Sequence, residues 1–431
     1  MPSSVTLSQH PRTLKGRYRP PGDKSISHRA VMFGALASGR SVYTHFLQAE
    51  DCLHTLQAFQ AMGVSADLNR STGTLTVDGV GVRGLKPPAG ELYLGNSGTS
   101  MRLMLGILAG QKFETILTGD PSLSSRPMKR VTVPLKSMGA QIKGKDNGNF
   151  APLTIRGGKL KAIEFENHLR SAQVKSAILF AGMYAEGLTR IHEPVLSRDH
   201  SERFLSASGA SFQQKGEWLE ISQTASLMPL SAAIPGDMSS AAFFLVGAAM
   251  TPGSDVTVEG VCLNPTRTGV LKVLERMGAK VEVLETQREP EPLGTVHVTG
   301  TRLKGVRIMA DEVPSLIDEL PILMTAMALA DGESLVSGAE ELRVKETDRI
   351  LSMAKNLKAV GGHVEELPDG CLIRGVERFK GARVESFGDH RTAMSLAIAT
   401  LAMEGDLEIE DTACVATSFP SFFEDFNRLK G

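Results

Sequence analysis

NSGTSMRLMLGILAG, residues 96–110, opens on a polar cluster, runs on as an apolar stretch of helical length and closes on a small residue and a glycine. Five other stretches share this plan: KSISHRAVMFGALASG (24–39), SAQVKSAILFAGMYAEG (171–187), DMSSAAFFLVGAAMTPG (237–253), SLIDELPILMTAMALADG (315–332) and GDHRTAMSLAIATLAMEG (388–405). Their closing glycines, Gly39, Gly110, Gly187, Gly253, Gly332 and Gly405, stand 71, 77, 66, 79 and 73 residues apart. A recurrence of this kind sets the architecture before any local reading. Apolar nearly all round, the six helices belong in a core. Their polar first turns offer free backbone N–H groups and a partial positive charge, the makings of anion sites.

A second echo falls between the helices: FQAMGVSAD, LKSMGAQIK, LSASGASFQ, LERMGAKVEV and LKAVGGHVEE. It reads as an amphipathic helix ending where glycine takes the left-handed cap conformation. The run LKVLERMGAKVEV (271–283) then switches from helical spacing to the alternation of a strand. Each unit is thus a buried helix, a strand, a second helix and two strands. The fold class is α/β by repeats, without the glycine-rich fingerprint of a dinucleotide-binding fold.

With 431 residues the chain exceeds one ordinary core. The sixth unit ends at its second helix, residues 422–430, while an unclaimed extended segment, TLKGRYRPPG (13–22), precedes the first. If that segment completes unit six, one lobe spans residues 23–236 and the other 1–22 plus 237–431. The crossings fall at PPGDKS (20–25) and IPGDMS (234–239), two Pro-Gly-Asp turns suited to hinges.

A net charge of −1 gives no reason to expect a nucleic acid or an acidic membrane as partner. The longest apolar run, residues 241–250, is far short of a membrane span. The first residues hold no apolar stretch fit for a signal peptide, so the cytoplasm is expected. Cys52, Cys262, Cys371 and Cys414 are widely separated, with no metal-ligand spacing, and no metal is expected.

The helix starts carry the chemistry. Lys24, Ser25, Ser27, His28 and Arg29 form the first cluster, a phosphate grip if Ser25 caps the helix. Alone it is equally a solvated turn. In Asn96-Ser97-Gly98-Thr99 the bare glycine lets backbone N–H groups approach a ligand, or simply makes a tight turn. Arg126, Ser171 and Gln173 add a cation and neutral donors. Asp318 stands in an otherwise apolar helix, where an isolated carboxylate is costly unless the helix start compensates it. Lys345 and Arg349, spaced i, i+4 with Glu346 beside them, are expected on one helical face, functional or merely solvated. Arg391 follows Asp389 and His390 at the last buried helix, a poor place for a cation unless an anion binds there. This set of cations suits a small substrate with more than one anionic group.

PGDKSISHRA, LGNSGTSMRL, SSRPM, SAQVKSA, IDELPIL, RVKETDR and DHR, in this order, resemble the 5-enolpyruvylshikimate-3-phosphate synthase family over essentially the whole chain. The resemblance implies two lobes of three βαβαββ repeats each, an inverse α/β prism with the active site in the interlobe cleft. It implies transfer of the enolpyruvyl group of phosphoenolpyruvate to the 5-hydroxyl of shikimate 3-phosphate, releasing phosphate, in chorismate and aromatic amino acid biosynthesis. No cofactor is implied, and a monomer is expected.

By motif match, Lys24, Ser25, Arg29, Ser171, Gln173, Ser197, Arg198, Asp318 and Lys345 would hold shikimate 3-phosphate. Lys24, Asn96, Gly98, Arg126, Gln173, Arg349 and Arg391 would hold phosphoenolpyruvate. Asp318 matches the residue that takes the 5-hydroxyl proton, Glu346 the one beside the protonated carbon, and Lys24 is the third residue of the catalytic set. The herbicide glyphosate competes with phosphoenolpyruvate in this family, so inhibition is expected. Thr417 stands where many members have lysine and Glu341 where many have asparagine, which resembles the family's second sequence class and leaves no C-terminal lysine contact to assign.

Two alternatives remain. UDP-N-acetylglucosamine enolpyruvyl transferases use a loop cysteine before an Arg-Pro pair, where this chain has Ser124-Ser125 before Arg126-Pro127. A non-catalytic anion-binding repeat protein would need the cations but neither Asp318 nor Glu346.

Overall fold

Six buried helices organise the chain, which a computed structural model describes at residues 4–8, 13–168, 170–288 and 290–430. They are α1 (Lys24–Leu36), α2 (Gly98–Ala109), α3 (Ala172–Gly182), α4 (Met238–Ala249), α5 (Leu320–Met327) and α6 (His390–Ala399). Every residue of α4 is buried. With no polar face, such a helix has only its ends at which to satisfy backbone groups. Four of the six starts are capped by a side chain. Asp23 Oδ1 accepts from Ile26 N at 2.9 Å, Ser97 Oγ from Ser100 N at 3.1 Å, Asp237 Oδ1 from Ser239 N at 2.7 Å and Asp389 Oδ1 from Arg391 N at 2.7 Å. The cap of α1 is therefore Asp23 and not the expected Ser25, which lies inside the first turn.

Except in α2, which runs to Ala109 beside Gly110, the apolar stretches do not stay helical up to their glycines. The helix α3 ends at Gly182, and Gly187 at φ +98° turns the chain toward the strand Leu188–His192. In the second echo the glycines meet the capping demand. Gly63, Gly139, Gly209, Gly278 and Gly361 all have φ between +70° and +110°.

Two expected helical placements differ. Asp318 sits in a 3-10 turn, Ile317–Glu319, ahead of α5. Pro321 in the first turn of α5 has no N–H to offer the carbonyl of residue 317, so the α-helix cannot extend back through Asp318. Lys345 and Arg349 do not share a helix. Lys345 is extended, with ψ at −151°, after the 3-10 segment Glu340–Val344, and Asp348 starts the helix Arg349–Ala359 by accepting from Leu351 N at 3.0 Å.

The chain divides into two compact units, Gly22–Ile234 (the continuous unit) and Met1–Pro21 with Pro235–Gly431 (the split unit). Among the described residues each holds three sheets, and all but one of the six have four strands. In the first repeat, Ser38–Thr44 pairs antiparallel with Thr74–Val80, which pairs with Ser65–Asn69, and Ser231–Ala233 joins parallel to Ser38–Thr44. One strand of that sheet is thus lent by residues almost two hundred positions away.

The split unit is closed by the same kind of loan. The segment at 13–22, expected to complete the sixth repeat, instead places Lys15–Tyr18 parallel to Asp255–Cys262 of the fourth. It is Ser4–Leu7 that pairs antiparallel with Met403–Glu410 of the sixth. Residues 1–3 and 9–12 of the expected segment 1–22 lie outside the described residues. Tyr18 packs edge-on against Phe244 of α4, and Phe422 and Phe426 of the last helix, Phe422–Leu429, stack on the same ring.

The tightest helix packing is in the continuous unit. A Cβ at Gly106 of α2 would stand 2.1 Å from the Ala177 carbonyl oxygen of α3, whereas one at Gly34 of α1 would meet only side chains, at 3.1 Å or more. Gly106→Ala must push two backbones apart. It is expected to destabilise the protein by about 1–3 kcal/mol, and Gly34→Ala by less, as read from urea unfolding midpoints.

Candidate active site

In the continuous unit, the starts of α1, α2 and α3 gather most of the candidate anion ligands. Lys24 Nζ lies 3.1 Å from Asp51 Oδ2. Arg29 is buried, and its guanidinium donates to Ser201 Oγ (2.8 Å), Ser176 Oγ (2.9 Å) and the Ser25 carbonyl (2.9 Å). His28 Nδ1 sits 2.8 Å from Thr55 Oγ1, and its Nε2 3.4 Å from the capping hydroxyl of Ser97. Burial, reinforced by Lys24 and Arg29, pushes the His28 pKa well below the usual histidine value. A neutral imidazole therefore links α1 to the loop that presents Gly98.

Around that loop the candidates for phosphoenolpyruvate come together. Arg126 donates to the carbonyl of Asn96 at 3.2 Å and to its side-chain oxygen, and Asn96 Nδ2 donates to Asp120 at 2.7 Å. Gly98 opens α2, and a Cβ there would lie 3.5 Å from Arg126 Nη1. Gln173 Nε2 donates to Thr99 Oγ1 at 2.9 Å, while its Oε1 accepts from Arg102 Nη1 at 2.6 Å. Arg102 was missed in the sequence, although an arginine in the first turn of an apolar helix is a visible signal. Ser171 precedes α3, and Ser197 is buried with Arg198 half-buried beside it.

In the split unit the site is built round Arg349. Its side chain is 1 % exposed. Its Nε donates to Asp389 Oδ2 at 2.7 Å, Nη1 to Asp318 Oδ1 at 3.1 Å and Nη2 to Glu346 Oε2 at 2.6 Å. Burial opposes its charge, but Asp389, Glu346 and Asp318 outweigh it and lift the pKa above the usual arginine value. Asp318 also faces Lys345 Nζ at 3.8 Å and Arg391 Nη2 at 3.7 Å, and its carbonyl accepts from Arg391 Nη1 at 3.1 Å. Burial, with Arg349 adding and Asp318 opposing, holds the Lys345 pKa below the usual lysine value. Three cations, Lys345, Arg349 and Arg391, thus meet three carboxylates, Asp318, Glu346 and Asp389, in one connected cluster. Within this cluster the charges cancel. Thr417 lies in the 3-10 stretch Thr412–Thr417, donating to the Cys414 carbonyl at 2.7 Å.

No group of acidic, histidine or cysteine side chains among the described residues is arranged to hold a metal ion. Buried cations at helix starts in one unit, and a carboxylate flanked by lysine and arginine in the other, are the equipment of a group-transfer enzyme for anionic substrates.

The comparisons with known proteins narrow that class. Residues 8–426 match the family model of EPSP synthase (3-phosphoshikimate 1-carboxyvinyltransferase). Curated proteins of that name from Desulforamulus reducens and Methylococcus capsulatus are 48% and 51% identical, over 95% of this chain in each case and 96% and 94% of theirs. An EPSP synthase structure from Acinetobacter baumannii superposes with a TM-score of 0.86 at 47% identity, covering 97% of this chain and 96% of that one. At 17% identity, the enolpyruvyl transferase NikO from Streptomyces tendae shares the fold, with a TM-score of 0.78 over 99% of this chain and 97% of that one. The chain belongs to the EPSP synthase family and is a transferase.

Replacing Arg349 by leucine would leave Asp318, Glu346 and Asp389 without their shared cation. Removing one partner of a buried ion pair costs about 3–5 kcal/mol. Denaturant titration of Arg349→Leu is expected to show a loss of that order, and Arg349→Lys an intermediate one, because an ammonium cannot present three donors in a fixed plane.

Proposed function

We propose that this protein transfers the enolpyruvyl group of phosphoenolpyruvate to the 5-hydroxyl of shikimate 3-phosphate and releases phosphate. Family membership supports the reaction. The observation that carries the assignment to residues is the cluster at Asp318, where one carboxylate is held by Arg349 with Lys345 and Arg391 close by.

In this reading Ser25, Arg29, Ser171, Gln173, Ser197, Arg198 and Lys345 hold shikimate 3-phosphate. Lys24, Asn96, Gly98, Arg126, Gln173, Arg349 and Arg391 hold phosphoenolpyruvate. Asp318 takes the proton of the 5-hydroxyl as the hydroxyl oxygen bonds to C2 of phosphoenolpyruvate, while the carboxyl group of Glu346 gives a proton to C3. Glu346 then takes a C3 proton back from the tetrahedral adduct as the bond from C2 to the phosphate oxygen breaks, the phosphate leaves with the proton held by Asp318, and the double bond is restored. Cationic character at C2 and negative charge on the departing phosphate both develop during this sequence, which gives carboxylates and cations separate tasks. Lys24 serves the second.

The same reading places the protein in the cytoplasm as a monomer. None of the four described cysteines is in a disulfide and Cys52, Cys262 and Cys371 are buried, as suits a reducing compartment. No helix among the described residues is long and apolar enough to cross a membrane. Sedimentation equilibrium and cell fractionation check these two points.

The central test is phosphate release from the two substrates together. Asp318→Asn keeps the shape but removes the proton acceptor, and turnover is expected to fall about a hundredfold or more with substrate binding largely kept. Near-normal turnover in that variant removes Asp318 from the role.

Glyphosate gives a second test. A methyl at residue 98 would lie 2.8 Å from Arg102 Nη1, so it presses on the arginine that holds Gln173 as well as on whatever ligand occupies the loop. The parent is expected to be inhibited. Gly98→Ala is expected to weaken glyphosate more than phosphoenolpyruvate, by about 1–3 kcal/mol. Inhibition assays at matched phosphoenolpyruvate relative to its KM decide it, and equal weakening of both ligands counts against a gate at residue 98.

A further inference from the structure

A lysine lies within the apolar body of α3 and no step above employs it. Lys175 is fully buried. Its Nζ is 2.5 Å from Glu193 Oε2 and 2.6 Å from Glu202 Oε1, with the Ser197 carbonyl at 3.4 Å. Burial works against its charge, but Glu202 and Glu193 outweigh burial and hold its pKa above the usual lysine value. Burial also raises the pKa of Glu202, with Lys175 opposing. Charge groups sealed in this way cost stability, and replacing such a set by apolar residues is often neutral or better. A packing role alone does not account for it.

The pattern of bonds does. Glu193 turns its other oxygen, Oε1, toward Ser197, a candidate residue for shikimate 3-phosphate. Ser197 Oγ donates to it at 2.6 Å and Asn167 Nδ2 at 2.8 Å. Asn167 Oδ1 in turn accepts from the backbone N of Ser171 at 3.3 Å, at the residue just before α3. One carboxylate therefore fixes the hydroxyl of Ser197 directly and the start of α3, with Ser171, through one amide. Lys175 is the cation that compensates it.

We infer that Lys175 and Glu193 are positioning residues for the shikimate 3-phosphate side of the site, locking Ser197 and Ser171 in place before substrate arrives. This rests on the proposed role of those two serines. A ligand that finds its hydroxyl partners already oriented does not have to spend binding energy ordering them.

Glu193→Gln is the discriminating variant. It leaves Lys175 paired with Glu202, so the buried charge is still met. A glutamine has one acceptor oxygen, which cannot serve Lys175 on one side and both Ser197 and Asn167 on the other. Titration calorimetry is expected to show Kd for shikimate 3-phosphate rising about tenfold, the effect of losing oriented hydrogen bonds. KM for phosphoenolpyruvate at saturating shikimate 3-phosphate and the Tm should stay close to those of the parent. Amide exchange at Ser171 should quicken with no ligand present. Asn167→Ala, which cuts the second arm without touching a charge, should reproduce the faster exchange with a smaller rise in Kd, and it decides alone if Glu193→Gln does not fold.

The inference is overturned if Kd for shikimate 3-phosphate stays within about twofold of the parent, or if both substrates and the Tm worsen together, as a general loss of packing would cause. Failure of the parent itself to bind shikimate 3-phosphate sinks the functional reading instead. In that case the exchange at Ser171 still reports whether the network orders the segment, and unchanged exchange overturns it.

Discussion

Helices without a polar face can meet water and partners only at their ends, and this constraint orders both units. In α4 every side chain from Met238 to Ala249 is buried. Much of the polar chemistry therefore falls to the residues that begin the helix or just precede it. Asp23, Ser97, Asp237 and Asp389 satisfy backbone donors there. Lys24, Arg102 and Arg391 lie in or next to the same turns, with Arg29 deeper in α1. Cations at a helix start oppose the dipole, so each depends on a local acceptor or a bound anion. Capping and ligand binding thus fall to adjacent residues, and the site follows from the way the core is built.

The two units solve the cation problem differently. Around Arg349 the acceptors are carboxylates, three to one guanidinium. Around Arg29 they include two serine hydroxyls and a carbonyl. Hydroxyls stabilise a guanidinium without cancelling its charge. Arg349 spends most of its field holding Asp318 and Glu346 in register. The two arginines also sit at different places in their repeats, Arg29 within the buried helix α1 and Arg349 at the start of the echo helix Arg349–Ala359.

The periodic part of this was legible in the sequence. Six apolar runs and their echo helices follow from local patterning, which burial and left-handed glycines such as Gly278 fulfil. The loan of an N-terminal strand to the sixth repeat was legible, though it falls to Ser4–Leu7 and not to segment 13–22; the pairing of Ser231–Ala233 with Ser38–Thr44 was not, because it is a long-range choice that neither segment encodes alone. Local signals also competed. The i, i+4 spacing of Lys345 and Arg349 suggested a shared helix, but the capping strength of Asp348 prevailed. Pro321 likewise moved Asp318 out of a helix into a 3-10 turn. Individual charged residues stood out by type, Arg102 among those that could have, while the acceptors Ser176, Ser201 and Glu193 acquire their place only through tertiary contact.

The loan of strands near the N-terminus bears on how the chain is made. Lys15–Tyr18 pairs with Asp255–Cys262, and Ser4–Leu7 waits for Met403–Glu410. The continuous unit is complete once Ile234 has emerged. On the ribosome it can form while Lys15–Tyr18 and Ser4–Leu7 still lack their sheet partners, which begin about 20 and about 170 codons after Ile234. These two strands, made before the continuous unit, thus gain their sheets only after it is finished. Nascent chains truncated between these two points would carry one finished unit and a bare strand beside it, the form in which this protein is most open to a chaperone or to mispairing with another copy.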